Sequence, residues 1–165
     1  MHLRELFDKV DRNGNGRLSE LELSNALLND DYSKFRPSTV RLILKLFDKE
    51  NKNYIDFKEF CRLWNYIGYW RKVFTKFDKE GSQTISFSEY QNALEKIGYR
   101  LSTDTILFIF QKFSDGSLQL KFDMFVESLI WLLKITDSFK KYDYQGNGIA
   151  VIQFKDYVEE ILSFN

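Results

Sequence analysis

Val10-Asp11-Arg12-Asn13-Gly14-Asn15-Gly16-Arg17-Leu18-Ser19-Glu20-Leu21-Glu22 is a run in which oxygen-bearing side chains alternate with turn formers and end on a glutamate. Counted from Asp11, side-chain oxygens fall at positions 1, 3, 5, 9 and 12 of a twelve-residue segment, with glycine at 6 and a backbone carbonyl at 7. Ahead of it, Leu3, Leu6, Phe7 and Val10 keep the i, i+3, i+4, i+7 spacing of a helix with one apolar face. Asn/Gly clusters taken alone are usually turns. Repetition argues against a plain turn here.

The same arrangement returns four times. It recurs as Phe47-Asp48 through Ile55-Asp56-Phe57-Lys58-Glu59-Phe60, and as Phe77-Asp78 through Ile85-Ser86-Phe87-Ser88-Glu89-Tyr90. A weaker copy runs from Phe113-Ser114-Asp115-Gly116 through Leu120 to Met124-Phe125, and the last from Tyr142-Asp143 through Gly148 to Tyr157. Between these loops Val40, Ile43, Leu44 and Phe47 keep helical spacing, as do Ile106, Phe110 and Phe113. The reading is an all-α fold of five tandem helix-loop-helix units in one domain spanning 1–165, with units at 2–29, 38–66, 67–97, 102–130 and 131–165. Apart from Gly68, no Pro or Gly-rich break lies between Phe57 and Phe77, and the same holds from Phe122 to Tyr142. Units two and three, and units four and five, are therefore expected to share long helices. Position 8 of the loops carries Leu18, Ile55, Ile85, Leu120 and Ala150, which predicts short two-stranded pairings of loop one with two and three with four. The fifth loop has no partner in its own chain, and an unpaired strand edge is a liability.

Six to eight hard oxygens in a flexible loop suit Ca²⁺. In loop one the ligands are Asp11, Asn13, Asn15, the Arg17 carbonyl and Glu22, with Ser19 at position 9. Only two of these are charged, which points to sensor-range affinity rather than tight buffering. Loop three offers Asp78, Glu80, Ser82, the Thr84 carbonyl, Ser86 and Glu89. It departs from the pattern at Gln83, where a non-glycine must take positive φ at a cost of about 1 kcal/mol, and at the long side chain of Glu80. Loop two has Asp48, Asp56 and Glu59, but Lys52 stands at position 5 and opposes an ion, so this loop is expected not to bind. Loop four has lost a residue and has Met124 at position 12, and loop five has Phe154 there. Neither closes a cage.

Composition narrows the class. The 165 residues carry 24 Lys+Arg against 24 Asp+Glu, which gives no general pull toward nucleic acid. One Cys and one His cannot assemble a structural zinc site within the chain, and a lone Cys61 fits a reducing compartment. No apolar run reaches the length of a membrane span, and the start carries no signal-peptide pattern. These features predict a soluble cytoplasmic chain, with nuclear or peripheral membrane association left open. Cys61 lies in a helical segment without a nearby His, so no nucleophile-and-base arrangement can be proposed and catalysis is not expected.

Five tandem units, two shared helices and a stretched fifth loop resemble the penta-EF-hand family along essentially the whole chain. The intact loop Asp11 to Glu22 and the degraded loop Asp48-Lys49-Glu50-Asn51-Lys52 are most similar to the group containing the apoptosis-linked calcium protein and peflin. The resemblance implies a calcium-dependent adaptor that forms a homodimer or heterodimer with another penta-EF-hand chain through the fifth hand. It also implies target peptides that are often Pro-rich, and reversible association with membranes. Members carry a Gly/Pro-rich extension before the first hand, whereas this sequence opens directly at a helix.

Tyr157, Val158, Ile161, Leu162 and Phe164 have the helical spacing to bury against such a partner across a two-fold axis. In a sensor-type hand the helix from Ser19 to Asn29 turns when Glu22 engages the ion, uncovering apolar surface. Candidate lining residues are Trp64, Tyr66, Tyr69, Trp70 and Phe74, which suit peptide recognition and equally suit a core. Two other readings stay open at this point: a regulatory subunit of a larger calpain-type enzyme, and a calcium buffer.

Overall fold

Ser19, Asp56, Ser86 and Ser102 each stand just before a helix and accept the N–H three residues on, which fixes where that helix starts. In the first three a glutamate closes the reciprocal bond to the cap residue's own N–H, making capping boxes from Ser19 and Glu22, Asp56 and Glu59, and Ser86 and Glu89. These are loop positions 9 and 12, so the same side chains that could hold an ion also start the next helix.

The computed structural model describes residues 2–164. Its helices are α1 (Leu3–Val10), α2 (Glu20–Ala26), α3 (Pro37–Phe47), α4 (Phe57–Phe77), α5 (Phe87–Ile97), α6 (Thr103–Ser114), α7 (Phe122–Lys140) and α8 (Phe154–Leu162). The all-α architecture and both long shared helices follow the sequence expectation: α4 joins loops two and three, and α7 joins loops four and five. Leu18 pairs with Ile55 and Ile85 with Leu120 as antiparallel bridges, so loop one meets loop two and loop three meets loop four at position 8. None of the described helices is long and apolar enough to cross a membrane.

By its contacts the chain divides into a larger unit ending at Glu127 and a smaller one starting at Ser128. Phenylalanines anchor the larger unit. Phe7 meets Phe57 and Phe60 edge-on at 5.4 and 5.6 Å, and Phe74 meets Phe122 and Phe125 at 5.4 and 5.5 Å. Such edge contacts add about 0.5–1.5 kcal/mol beyond the area they bury.

The segment between α2 and α3 departs from the sequence reading. The helix expected to reach Asn29 ends at Ala26, because Leu27 turns extended and Leu28 pairs with Lys34 in a small bridge. Asn29 is then used elsewhere, its side-chain oxygen accepting the N–H of Asp123 at 2.9 Å. Ser33 and Lys121 donate to Asp31 and hold its carboxyl at about 2, below the usual carboxylate range. Arg36 reaches across to Asp115 and Glu127, and its N–H donates to Asp123 at 2.7 Å. Arg71 holds Asp30 and the Leu28 carbonyl while its guanidinium lies over the Phe122 ring. A loop by composition is thus tied at both ends to helices α4 and α7.

In the smaller unit, Glu160 on α8 accepts from Ser138, Lys141 and Tyr142. These donors hold its carboxyl below the ordinary value, the Ser138 hydroxyl chief among them. Phe164 stands edge-on to Trp131 at 6.2 Å. No residue of α8 is buried.

Candidate metal centre

Every loop that begins with Asp takes the same backbone path. Position 4 is left-handed at Gly14, Asn51, Gly81 and Gly146, and position 6 is left-handed at Gly16, Asn53, Gln83 and Gly148. This double reversal aims backbone N–H groups inward at the leading Asp. The loops differ in what is left over once those N–H groups are satisfied.

In loop one, Asp11 Oδ2 accepts the Gly16 N–H at 2.8 Å. Asp11 Oδ1 is buried and has no hydrogen-bond partner. A carboxylate oxygen removed from water without a donor is strongly unfavourable unless a cation meets it. Around it, the Asn13 and Asn15 side-chain oxygens accept the N–H groups two residues on, at 3.4 and 3.0 Å, which folds both amides over the loop. Glu22 uses one oxygen for the Ser19 N–H at 3.1 Å and the other for the Arg12 N–H at 3.0 Å, bringing α2 back onto the end of α1. Hard oxygens, amide and carboxylate together, are the donor set for Ca²⁺. The residues fit the ion: Asp11, Asn13, Asn15, the Arg17 carbonyl and Glu22 would hold it, with Ser19 at the ninth position.

Loop three satisfies itself. Asp78 Oδ1 accepts both the N–H and the hydroxyl of Ser82 at 3.0 Å, and Oδ2 accepts the Gln83 N–H at 2.7 Å. Glu89 accepts from Ser86 and Lys79 N–H groups, each at 2.9 Å. Gln83 takes φ of 66°, the strained value expected from its position. Among the described residues no three His, Cys, Asp or Glu side chains gather into a metal-holding group, so Glu80 does not join Asp78 and Glu89 in one cluster. Loop three therefore has the oxygens of a site, the Thr84 carbonyl included, with its leading carboxylate already engaged.

In loop two the Lys52 ammonium lies 3.0 Å from Glu59 and 3.7 Å from Asp56, and its bond to Glu59 raises its pKa. The sequence marked Lys52 as an obstacle to an ion; its pairing with the closing glutamate Glu59 is added by the structure. Loop four gives its Asp115 to Arg36. In loop five, Asp143 accepts from Asn147 and Gly148, but Val151 and Phe154, at positions 9 and 12, point out and are 91% and 81% exposed.

The aromatic candidates separate. Trp64, Tyr66 and Trp70 are half-buried and Tyr69 is 61% exposed, while Phe74 is wholly enclosed and belongs to the core rather than to a surface. Tyr66, Tyr69 and Trp70 form a ring chain, with centroids 6.2 Å apart between Tyr66 and Trp70 and 5.1 Å apart between Tyr69 and Trp70. Burial raises the Tyr66 phenol. Of the candidate dimer residues, Tyr157, Ile161 and Leu162 are exposed, and Val158 and Phe164 are half-buried. Tyr157, Ile161 and Phe164 line an apolar groove together with Ile135, Phe139, Tyr142 and Ile152. Sequence reasoning missed the Arg36 cluster, since partners up to 91 positions apart leave no local pattern.

Comparison with known proteins agrees with this geometry. A family model described as an EF-hand domain pair matches residues 1–64. The chain is 37% identical over 164 residues to peflin from Saccharomyces cerevisiae, covering 96% of this chain and 49% of that protein. It is 36% identical over 156 residues to sorcin from Schistosoma japonicum, covering 94% of this chain and 91% of that one. A solved homolog of programmed cell death 6 protein from Leishmania major Friedlin superposes with a TM-score of 0.83 at 30% identity, covering 99% of this chain and 94% of the other. The chain spans about half the length of the peflins it matches. With these relatives the chain is a Ca²⁺-binding EF-hand protein. Five hands in order, two shared helices and relatives aligned from end to end lead to one conclusion: this chain belongs to the penta-EF-hand family.

Proposed function

We propose that the chain is a calcium sensor that switches at its first loop, dimerises through its fifth hand and presents an apolar surface to target proteins. The observation that carries this is the buried, partnerless Asp11 Oδ1. It supports loop one as the place where a divalent cation would meet an otherwise unpartnered carboxylate oxygen. A bound ion supplies two positive charges there, tying Asp11 at the end of α1 to Glu22 in the first turn of α2. Glu22 would then trade its bonds to Ser19 and Arg12 for the ion, and the start of α2 would follow. Loop three is the second site, of lower affinity, because Ser82 must release Asp78 first.

Two charged ligands in loop one favour a sensor over a tight buffer. Dimerisation is supported by α8, whose Tyr157, Ile161 and Leu162 are 53%, 47% and 68% exposed. Apolar faces of this kind mark interaction sites. Ala150 enters no bridge among the described residues, so a fifth hand from another penta-EF-hand chain is the occupant that supplies both a strand and an apolar helix face. Half-buried Trp64, Tyr66 and Trp70 with exposed Tyr69 are the target-binding surface, suited to extended Pro-rich peptides, and the setting is cytoplasmic with reversible membrane association.

The test is calcium-dependent binding of a hydrophobic dye to the wild type and to Glu22→Ala. Calcium should raise dye fluorescence in the wild type and lose most of that effect in the variant. A variant with wild-type calcium affinity and a wild-type dye response would overturn the reading.

A further inference from the structure

We infer that Lys52 is a built-in cation that holds the second hand in a calcium-independent form, leaving the paired loops one and two with one switchable member and one fixed member. Loop two carries carboxylates at four ligand positions, Asp48, Glu50, Asp56 and Glu59, twice as many as loop one. Four negative charges on one short loop repel one another unless a cation intervenes. The chain supplies that cation itself, and the Lys52 and Glu59 side chains are only 18% and 8% exposed. Glu59 is buried and Lys52 half-buried, so their attraction is partly shielded from solvent. Asp48 shows the same completeness: Oδ1 accepts the Lys52 N–H at 3.0 Å and Oδ2 accepts the Asn53 N–H, so no oxygen is left over. Its counterpart Asp11 has one oxygen with no partner.

Another cation of the pair stands away from the ligands. Arg17, at position 7 of loop one, lays its guanidinium over the Tyr54 ring at 4.6 Å, and Lys52 approaches the same ring at 5.1 Å. The two loops are joined by the Leu18 and Ile55 backbone bonds at 2.8 and 2.9 Å. Loop one therefore fills and empties against a neighbour whose shape does not depend on calcium. Lys52 is in this sense a specificity-determining residue: it decides which of two joined loops responds to the ion.

The test uses the full chain, three single variants and one double variant. Lys52→Asn puts an amide oxygen at position 5, as Asn15 does in loop one, and should bind one calcium more than the wild type by titration calorimetry. Lys52→Met should gain no ion. With chelator present, Lys52→Met and Glu59→Gln should each melt about 3–6 °C lower than the wild type, the scale expected for losing a nearly buried ion pair in a chain of this size. Their double variant should melt no lower than either alone. Calcium should restore the melting midpoint of Lys52→Asn and leave that of Lys52→Met no nearer the wild type. Wild-type ion count in folded Lys52→Asn, wild-type melting of the single variants in chelator, or additive losses in the double variant would each overturn the inference. The chelator arm does not depend on loop one being the switch, so the two readings fail separately.

Discussion

Single residues decide which loops can respond, because all four Asp-led loops share one backbone path. Gln83 illustrates the cost of keeping that path without glycine. Its φ of 66° lies in the left-handed region, and no neighbour needs its side chain for a bond. Gln83→Gly should therefore raise the melting midpoint in chelator by roughly 1–3 °C, the relief of αL strain less the entropy of a new glycine. A scanning calorimetry trace with a lower midpoint would show that the strain is illusory. The same residue-level reading predicts that loop five does not hold an ion: Asp143 is correctly placed, but Phe154 holds the twelfth position and points to solvent.

At the scale of elements, the helices were legible because their signals are local. Ser19 with Glu22, Asp56 with Glu59 and Ser86 with Glu89 announce three helix starts within four residues each. The continuity of α4 followed from the lack of breakers between Phe57 and Phe77. What could not be read were the end of α2 at Ala26 and the tether made by Arg36, Asp115, Asp123 and Glu127. Those depend on residues brought together by folding, and nothing in the spacing of Leu27, Leu28 and Asn29 signals that Asp123 will claim the Asn29 side chain. The sequence named Asp11, Asn13, Asn15 and Glu22 as the oxygens of loop one, whereas the unpartnered Asp11 oxygen that sets the loop apart required coordinates. Gly68 gives an element-scale prediction. It sits inside α4 with open space where a Cβ would be, so Gly68→Ala should stabilise the chain by about 0.5–1 kcal/mol, read from denaturant midpoints. Destabilisation would contradict open space at that position.

For the molecule as a whole, the contrast lies between well-filled hands and a fifth hand that buries nothing on α8. Its apolar groove, and the lack of a bridge at Ala150 among the described residues, support the proposed pairing with a second chain. Placing a charge there should be decisive: Ile161→Asp is expected to shift the mass measured by light scattering from dimer to monomer while leaving calcium binding at loop one intact. A wild type that is monomeric at every concentration measured would remove the fifth hand from the account. The central claim, however, is that calcium acts first at loop one. Titration calorimetry on the wild type, Asp11→Ala and Asp78→Ala tests it most directly. The account predicts that Asp11→Ala loses the tightest binding step, by more than about a hundredfold in affinity, while Asp78→Ala loses only a weaker one. A tightest step that survives in Asp11→Ala and vanishes in Asp78→Ala would contradict it.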